Sequence, residues 1–214
     1  MSRICVATEK GREYYVLVSR LRRAGLPFTS VLPDSDLRGC TVILTTASEA
    51  KAHGEKALAI ESLDENPGVF KGQVVSRLQG GAEPILVGVD PGTRTGMAVF
   101  YGEEPLAFGT FNSVASLCSE VGAFWRGVPG SSFLVRIGNG NPTLAMRIAE
   151  AVSLEVPEAA VETVDESGTS IRNPRLKGVQ RDQGAAAKIA FRHGEVVSPG
   201  RPRTRARGPV TQPG

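Results

Sequence analysis

The stretch ILVGVDPG, residues 85–92, decides the fold. Residues 85–89 form an uninterrupted apolar run, which is typical of a β-strand buried on both faces. Asp90 closes the run, and Pro91 with Gly92 predicts a tight turn directly after it. A charge at the end of a buried strand is costly unless it is paired or binds a cation. Asp90 is therefore the first candidate functional residue.

After this strand the pattern predicts two more strands and then helices that alternate with strands. The further strands are predicted at 96–100, 107–111, 133–137 and 161–164, and the helices at 113–125, 142–152 and 182–193. The resulting β-β-β-α-β-α-β-α order predicts an α/β fold with a mixed sheet flanked by helices. Asp182 opens the last helix, where a plain N-cap is the alternative to a functional role. His193 is predicted in its last turn, where a cation suits the helix dipole.

Residues 1–80 predict a small α/β domain that precedes this sheet. Its strands are predicted at 4–7, 28–32, 41–44 and 57–60, and its helices at 12–24 and 64–78. The Gly- and Pro-containing residues 80–84 read as a linker. The predicted domains are therefore 1–80, with an interaction or dimerisation module as the default role, and 84–196. Residues 198–214 have the composition of a basic disordered tail.

Two further acidic positions share the character of Asp90. Glu166 follows the strand predicted at 161–164, and Asp182 begins the alanine-rich helix. Strand ends and a helix start that face one sheet edge can bring three carboxylates together, and Mg²⁺ compensates such a cluster by taking hard oxygen ligands. Two ions about 4 Å apart would activate a water and stabilise the leaving oxygen of a phosphodiester. Strand alternation alone does not decide between Asp165 and Glu166.

These motifs resemble the RuvC-like and YqgF-like branch of the ribonuclease H superfamily, which contains Holliday-junction resolvases. The resemblance covers residues 84–194 and rests on Asp90-Pro91-Gly92 with Gly96, on Asp165-Glu166 with Thr169-Ser170, and on Asp182 with its helix. It implies a ribonuclease H-like fold and a metal-dependent endonuclease that acts on branched DNA or structured RNA. It also implies that Asp90, Glu166 and Asp182 are catalytic ligands of Mg²⁺, with Mn²⁺ as a substitute.

Three places depart from the patterns of that branch, and one of them is the first turn, which is one residue shorter than in either group. The resolvases have a glutamate at the end of the fourth strand, where residues 137–140 read IGNG, and Ser167 stands where the other group has arginine. These departures keep open a catalytically inactive nucleic-acid-binding protein of the same fold. The DPGT turn at residues 90–93 is also similar to a phosphate-cradling turn of the actin-like fold, so a nucleotide-binding protein is the third hypothesis.

Positive charge collects after residue 170. Residues 1–170 hold 15 Lys or Arg against 20 Asp or Glu, whereas residues 171–214 hold 10 against 2. This asymmetry predicts a polyanionic partner, and a nucleic acid fits it. The candidate nucleic-acid contacts are Arg94 in the first turn, Arg172, Arg175, Lys177 and Arg181 before the last helix, and Arg201, Arg203, Arg205 and Arg207 in the tail. For the residues before the helix, a solvated loop is the alternative.

Cysteine usage and hydropathy indicate the compartment. Cys5, Cys40 and Cys118 are odd in number and widely spaced, which favours buried thiols over a disulfide framework or a zinc site. No apolar run reaches the about 18 residues of a membrane span, and residues 1–8 lack the layout of a secretory signal. We therefore expect a cytoplasmic protein without a membrane partner, and a homodimer stays open.

Overall fold

The computed structural model describes residues 3–165, 178–198 and 200, with side chains described from residue 183 in the second stretch. The first elements are β1 (Ile4–Val6), α1 (Gly11–Arg23), β2 (Phe28–Ser30), β3 (Val42–Thr45), α2 (Ala47–Ala50), β4 (Ala57–Ala59) and α3 (Pro67–Leu78). Two 3₁₀ segments, Lys51–Lys56 and Ile60–Ser62, flank β4. The strands form a parallel sheet in the order β2-β1-β3-β4.

Helix α1 forms because its apolar residues recur at helical spacing. Leu17, Val18 and Leu21 are buried on the side that meets the sheet, and charged residues occupy the other side. Gly25 has φ 67°, the left-handed conformation that ends many helices and that glycine adopts without strain. The predicted helix and its end are therefore confirmed to within one residue.

Helix α3 lies between the small sheet and the rest of the chain. The side-chain oxygen of Asn66 accepts hydrogen bonds from the N–H groups of Gly68 (2.9 Å) and Val69 (3.3 Å), which starts the helix three residues later than predicted. The helix also packs closely on residues of the second part of the chain. A Cβ added at Gly68 would lie 2.6 Å from Phe124 and 2.9 Å from Ala107. The buried core is therefore continuous from β1 through α3 to the second sheet.

The second group of elements forms a six-stranded mixed sheet. They are β5 (Ile85–Asp90), β6 (Thr95–Tyr101), β7 (Glu104–Phe111), α4 (Val114–Gly127), β8 (Phe133–Gly138), α5 (Pro142–Glu155), β9 (Ala160–Val164), α6 (Gly178–Ala190) and β10 (Glu195–Ser198). The order is β10-β9-β8-β5-β6-β7, with β5, β8 and β9 parallel and the other pairings antiparallel. The α/β class and the mixed sheet flanked by helices are confirmed. Strand β10 was not predicted.

Strand alternation divides this sheet into two unlike faces. Val87 and Val99 belong to the large core that α4 and α5 cover, whereas Ala98 and Phe100 form a separate buried cluster with α6. Because successive side chains of a strand point to opposite faces, Gly88 lies on the α6 face. The sheet is therefore covered by helices on both sides, as the apolar run at residues 85–89 predicted.

The last helix begins earlier than predicted. Helix α6 starts at Gly178, so Asp182 is its fifth residue and the N-cap alternative for Asp182 is wrong. The helix ends at Ala190, so His193 lies after the last turn and not within it. Arg181 lies within the helix, whose start was predicted four residues too late. Residues 201–214, which include the predicted tail, lie outside the described residues.

Cys5 and Cys40 form a disulfide, with their Cα atoms 5.8 Å apart. The prediction of buried thiols without a disulfide is therefore wrong for this pair and correct for Cys118, which is free and buried. The two residues are 35 positions apart, but Cys5 lies opposite Ile43 in the β1–β3 pair, so the fold brings Cys40 beside it. Within the described ranges, no helix has the length and hydropathy that crossing a bilayer requires.

Candidate active site at the carboxyl end of β5

Asp90 is the last residue of β5 and is half-buried. It lies opposite Gly96 of β6 in the antiparallel pair. Pro91 is buried directly after it, and the turn that follows exposes Gly92 to Arg94 before the chain enters β6. The local sequence therefore holds one carboxylate at the rim of a sheet whose interior is apolar, and it places the Arg94 side chain at the surface next to that rim.

Helix α6 lies directly on β5 because small residues meet on both elements. A Cβ added at Gly88 would lie 2.7 Å from the backbone nitrogen of Ala190, and closer still to the carbonyl oxygen of Ala186. Ala186 and Ala190 are themselves fully buried, as is Ala98 on the neighbouring strand. No larger side chain fits between the helix backbone and the sheet, so the helix is fixed in distance and in register against Gly88.

The direction of α6 follows from two contacts. Phe191, just after the helix, contacts the ring of Phe100, whose strand partner Leu86 lies near the start of β5. Ala186 and Ala190, which precede Phe191, both lie against Gly88, which is two residues further along β5 than Leu86. Helix α6 therefore runs in the direction opposite to β5. Its first turns lie toward the carboxyl end of the strand.

The spacing of the two elements then matches at the sheet edge. The four helix residues from Ala186 back to Asp182 cover about 6 Å, and two strand residues from Gly88 to Asp90 cover about 6.7 Å. Position 182 also lies on the same helix face as Ala186, because residues four apart are stacked one above the other. The backbone positions of Asp90 and Asp182 therefore lie at one end of the sheet.

The other predicted site residues divide into described and undescribed ones. Asp165 is exposed directly after β9, and its backbone oxygen accepts a hydrogen bond from Nη1 of Arg192 at 2.9 Å. Glu166, Arg172, Arg175 and Lys177 lie outside the described residues, as do the side chains of Arg181 and Asp182. Among the side chains that are described, no three His, Cys, Asp or Glu residues come together as a metal-binding group.

One polar contact of α6 was missed by the sequence reasoning. Arg136 of β8 forms an ion pair with Glu162 of β9 at 2.8 Å, with only 11% and 17% of the two side chains exposed. Its Nη1 also donates to the carbonyl oxygen of Ala190 at 2.7 Å. Arg136 thus satisfies a carbonyl at the end of α6 and holds that end to the sheet. The signal in the sequence was a lone cation inside an apolar strand.

A second polar cluster lies at the carboxyl ends of β1 and β3. Glu49 accepts hydrogen bonds from the hydroxyl of Thr46 (2.6 Å), the N–H of Glu9 (2.9 Å) and the hydroxyl of Thr45 (3.0 Å). Burial alone would raise the pKa of Glu49, but these bonds and one from Thr8 outweigh it and lower the pKa to about 2. Glu49 therefore joins the loop after β1 to the turn after β3.

Comparisons with known proteins match the first part of the chain best. A family model described as a response regulator receiver-like domain matches residues 3–69, which run from β1 into the start of α3. This match covers less than half of the chain. No curated protein matches the sequence.

Among solved structures, the chain is similar to the Argonaute of Marinitoga piezophila in complex with 5′ OH guide RNA and target DNA. The identity is 9% and the TM-score 0.32, over 78% of this chain and 40% of the Argonaute chain. The chain thus spans well under two thirds of the length of that protein, and a similarity of this size carries no conclusion about fold or function.

Proposed function

We propose that the chain is a metal-dependent endonuclease with a ribonuclease H-like fold in residues 84–196. The observation that supports the proposal is the contact of α6 with Gly88, since the helix direction and spacing that follow from it favour position 182 near the sheet edge that Asp90 occupies. The β-β-β-α-β-α-β-α order of β5 through α6 supports the same proposal. The substrates proposed are branched DNA and structured RNA.

The residue types at this edge fit Mg²⁺, with Mn²⁺ as a substitute. Asp90, Glu166 and Asp182 offer only carboxylate oxygens, the hard ligands that these ions prefer. Asp90 is half-buried at the rim of an apolar sheet, a position from which its carboxylate could bind a cation. When bound, the metal would supply an activated water and charge stabilisation at the scissile phosphate.

The remaining work of the site falls to the residues of the chain itself. Asp90 and Asp182, held by the contact between β5 and α6, would fix the ligand positions before substrate arrives. Arg94, exposed in the turn after β5, would contact a phosphate next to the cleaved one. Arg172, Arg175, Lys177 and Arg181 would neutralise the backbone of the strand that enters the site.

The test is cleavage by the full chain on labelled four-way junctions, flaps and structured RNA, with Mg²⁺ or Mn²⁺. Asp90→Asn and Asp182→Asn should each lower the rate at least a hundredfold and leave substrate binding within about threefold, because the charge is lost and the shape is kept. Asp36→Asn, an exposed acid in the loop between β2 and β3, is the matched control. Full cleavage by Asp90→Asn would contradict the proposal.

A binding protein of the same fold without catalysis is the second candidate. Strand β8 lies next to β5 and ends at Gly138, and residues 137–141, at and after its end, contain no acid. A nuclease site would therefore depend on β5, on the segment after β9 and on α6 alone. Salt-sensitive binding without cleavage in Mg²⁺ or Mn²⁺ would select this candidate over the nuclease.

For residues 1–80 we propose an interaction or dimerisation module, in a cytoplasmic protein. The receiver-like match of residues 3–69 supports a protein–protein role over a second nuclease site. The exposed Tyr15 on α1 and Leu32 after β2 give this part of the chain apolar surface. The mass of the full chain by light scattering tests the dimer, and Tyr15→Ser should shift it to the monomer if α1 lies in the contact.

A further inference from the structure

Three phenylalanines form an aromatic groove on the α6 face of the larger sheet. Phe100 of β6 is buried at its base, and its ring contacts Phe108 of β7 (centroids 5.9 Å apart) and Phe191 after α6 (4.8 Å). Phe108 and Phe191 remain 46% and 48% exposed. The groove between β7 and α6 has a volume of about 690 Å³. The aromatic groove is therefore open to a ligand of the size of a base.

The exposure of these two rings indicates a surface that binds a ligand. Single exposed apolar residues are common on protein surfaces, but two half-exposed aromatic rings that share one buried ring form a contiguous patch. The ring planes of Phe108 and Phe191 are inclined to that of Phe100 by 90° and 67°, so both rings stand up from the base. A flat apolar ligand could stack against them.

The charges around the aromatic groove favour an anion. Lys188 and Arg192 line it, and Glu103 is its acidic lining residue. Within the described part of the chain, neither cation forms an ion pair with a carboxylate. Arg192 is held through the hydrogen bond from its Nη1 to the backbone oxygen of Asp165. Flat rings beside two cations match the bases and phosphates of a single strand.

The aromatic groove also lies on the helix that carries Asp182. Lys188 is six residues after Asp182, or about 9 Å along the helix, and Phe191 is about 13.5 Å away. A stacked strand advances about 3.4 Å for each nucleotide. A strand crossing the candidate active site would therefore reach the groove after about four nucleotides.

We propose that the aromatic groove binds an unpaired segment of the nucleic-acid substrate, with its bases on Phe108 and Phe191 and its phosphates at Lys188 and Arg192. This inference rests on the proposed nuclease function and narrows its substrate to nucleic acids that present a single-stranded arm beside the cleavage site. Fully paired duplexes would then be poor substrates, because their bases are not available for stacking.

The test compares a fluorescein-labelled 20-nucleotide oligo-dT with a duplex of equal length, by anisotropy on the full chain. The Phe108→Leu/Phe191→Leu variant keeps apolar side chains but loses both rings. Its dissociation constant for oligo-dT should rise at least fivefold, the lower bound for one lost base stack, while duplex binding changes less than twofold. Leu154→Ala removes an apolar side chain that is 83% exposed on α5 and should change neither value.

A second measurement needs no variant. Oligo-dT with 5-iodouracil should form photo-crosslinks that mass spectrometry maps to the peptides of Phe108 or Phe191. Crosslinks elsewhere, or an unchanged dissociation constant in the double variant, would overturn the groove while wild-type cleavage upholds the nuclease. A wild-type chain that binds no nucleic acid would overturn both. A wild-type dimer that the double variant converts to a monomer would make the groove a self-association surface and reject this proposal.

Discussion

Gly88 of β5 and Ala186 of α6 contact each other through backbone atoms, with no side chain between them. This contact fixes how far the helix stands from the sheet and which of its residues lie against Gly88. It also converts a glycine inside a strand, which is unfavourable for the strand by itself, into the residue that sets the geometry of the candidate site.

Gly88→Ala should displace α6 from the sheet. Because the added methyl would overlap the helix backbone, we expect a loss of about 1–3 kcal/mol of unfolding free energy, or roughly 2–12 °C in melting temperature. Metal-dependent cleavage should fall with it. Gly11→Ala is the matched control, since a Cβ there meets no atom within 4 Å. A fully active and equally stable Gly88→Ala variant would show that this contact does not position the site.

Arg136→Met should destabilise the chain by about 3–5 kcal/mol in urea unfolding, because Glu162 would be left nearly buried without its partner. Arg136→Met/Glu162→Leu should recover most of this loss, since it removes both charges. The carbonyl of Ala190 would still lack its donor in the double variant. Amide exchange in residues 183–190 should therefore stay faster than in the wild type, and wild-type protection there would argue against this role of Arg136.

Protonation of Glu49 in acid should lower the unfolding free energy of the chain. Its pKa of about 2 lies below the ordinary 4.5, so the folded state favours the charged form, and this contribution is present above pH 4.5 and lost as the pH falls toward 2. Glu49→Gln should lower the melting temperature at pH 7 and flatten its dependence on pH between about 5 and 2. Glu103→Gln, at an exposed acid, should leave both features unchanged, and an equal effect of the two variants would remove Glu49 as the cause.

The disulfide should be visible by counting thiols. When the chain is unfolded in guanidinium without reductant, one molecule of iodoacetamide should react, at Cys118. After reduction of the disulfide, three molecules of iodoacetamide should react with each chain. Cys5→Ala/Cys40→Ala should lose about 2–4 kcal/mol of unfolding free energy, because the cross-link closes a 35-residue span. Three reactive thiols before reduction would show that the bond is absent in solution.

The larger sheet could be predicted because its strands are buried on both faces and its turns contain glycine and proline. The start of α6 could not, because a helix of low hydrophobicity begins without an apolar stripe, and Gly178 gave no capping signal. Strand β10 pairs only with β9, and its sequence, EVVS, is too short to show a period. The Cys5–Cys40 bond depends on which strands become neighbours, which spacing along the chain does not encode.

For the candidate site, the sequence indicated Asp90 by its place at the end of an apolar run, and the structure adds a contact that brings the backbone of position 182 toward the same end of the sheet. This contact is between small residues, Gly88 with Ala186 and Ala190, and has no chemistry of its own to attract notice. Arg136 was missed for a related cause: it acts on a backbone carbonyl of a helix 54 residues away. Contacts between residues so far apart in the chain are determined by tertiary packing, and the local sequence pattern does not reveal them.

The position of α3 has a consequence for how the molecule unfolds. Its glycines lie against Phe124, Ala107 and Val128, and the same helix contacts α1 and β3 of the first part of the chain, so one helix packs against both parts. Unfolding of either sheet would expose apolar surface of the other part to water. The two parts should therefore unfold together in one cooperative transition. Ligands of the first eighty residues would then raise the melting temperature of the candidate site without touching it.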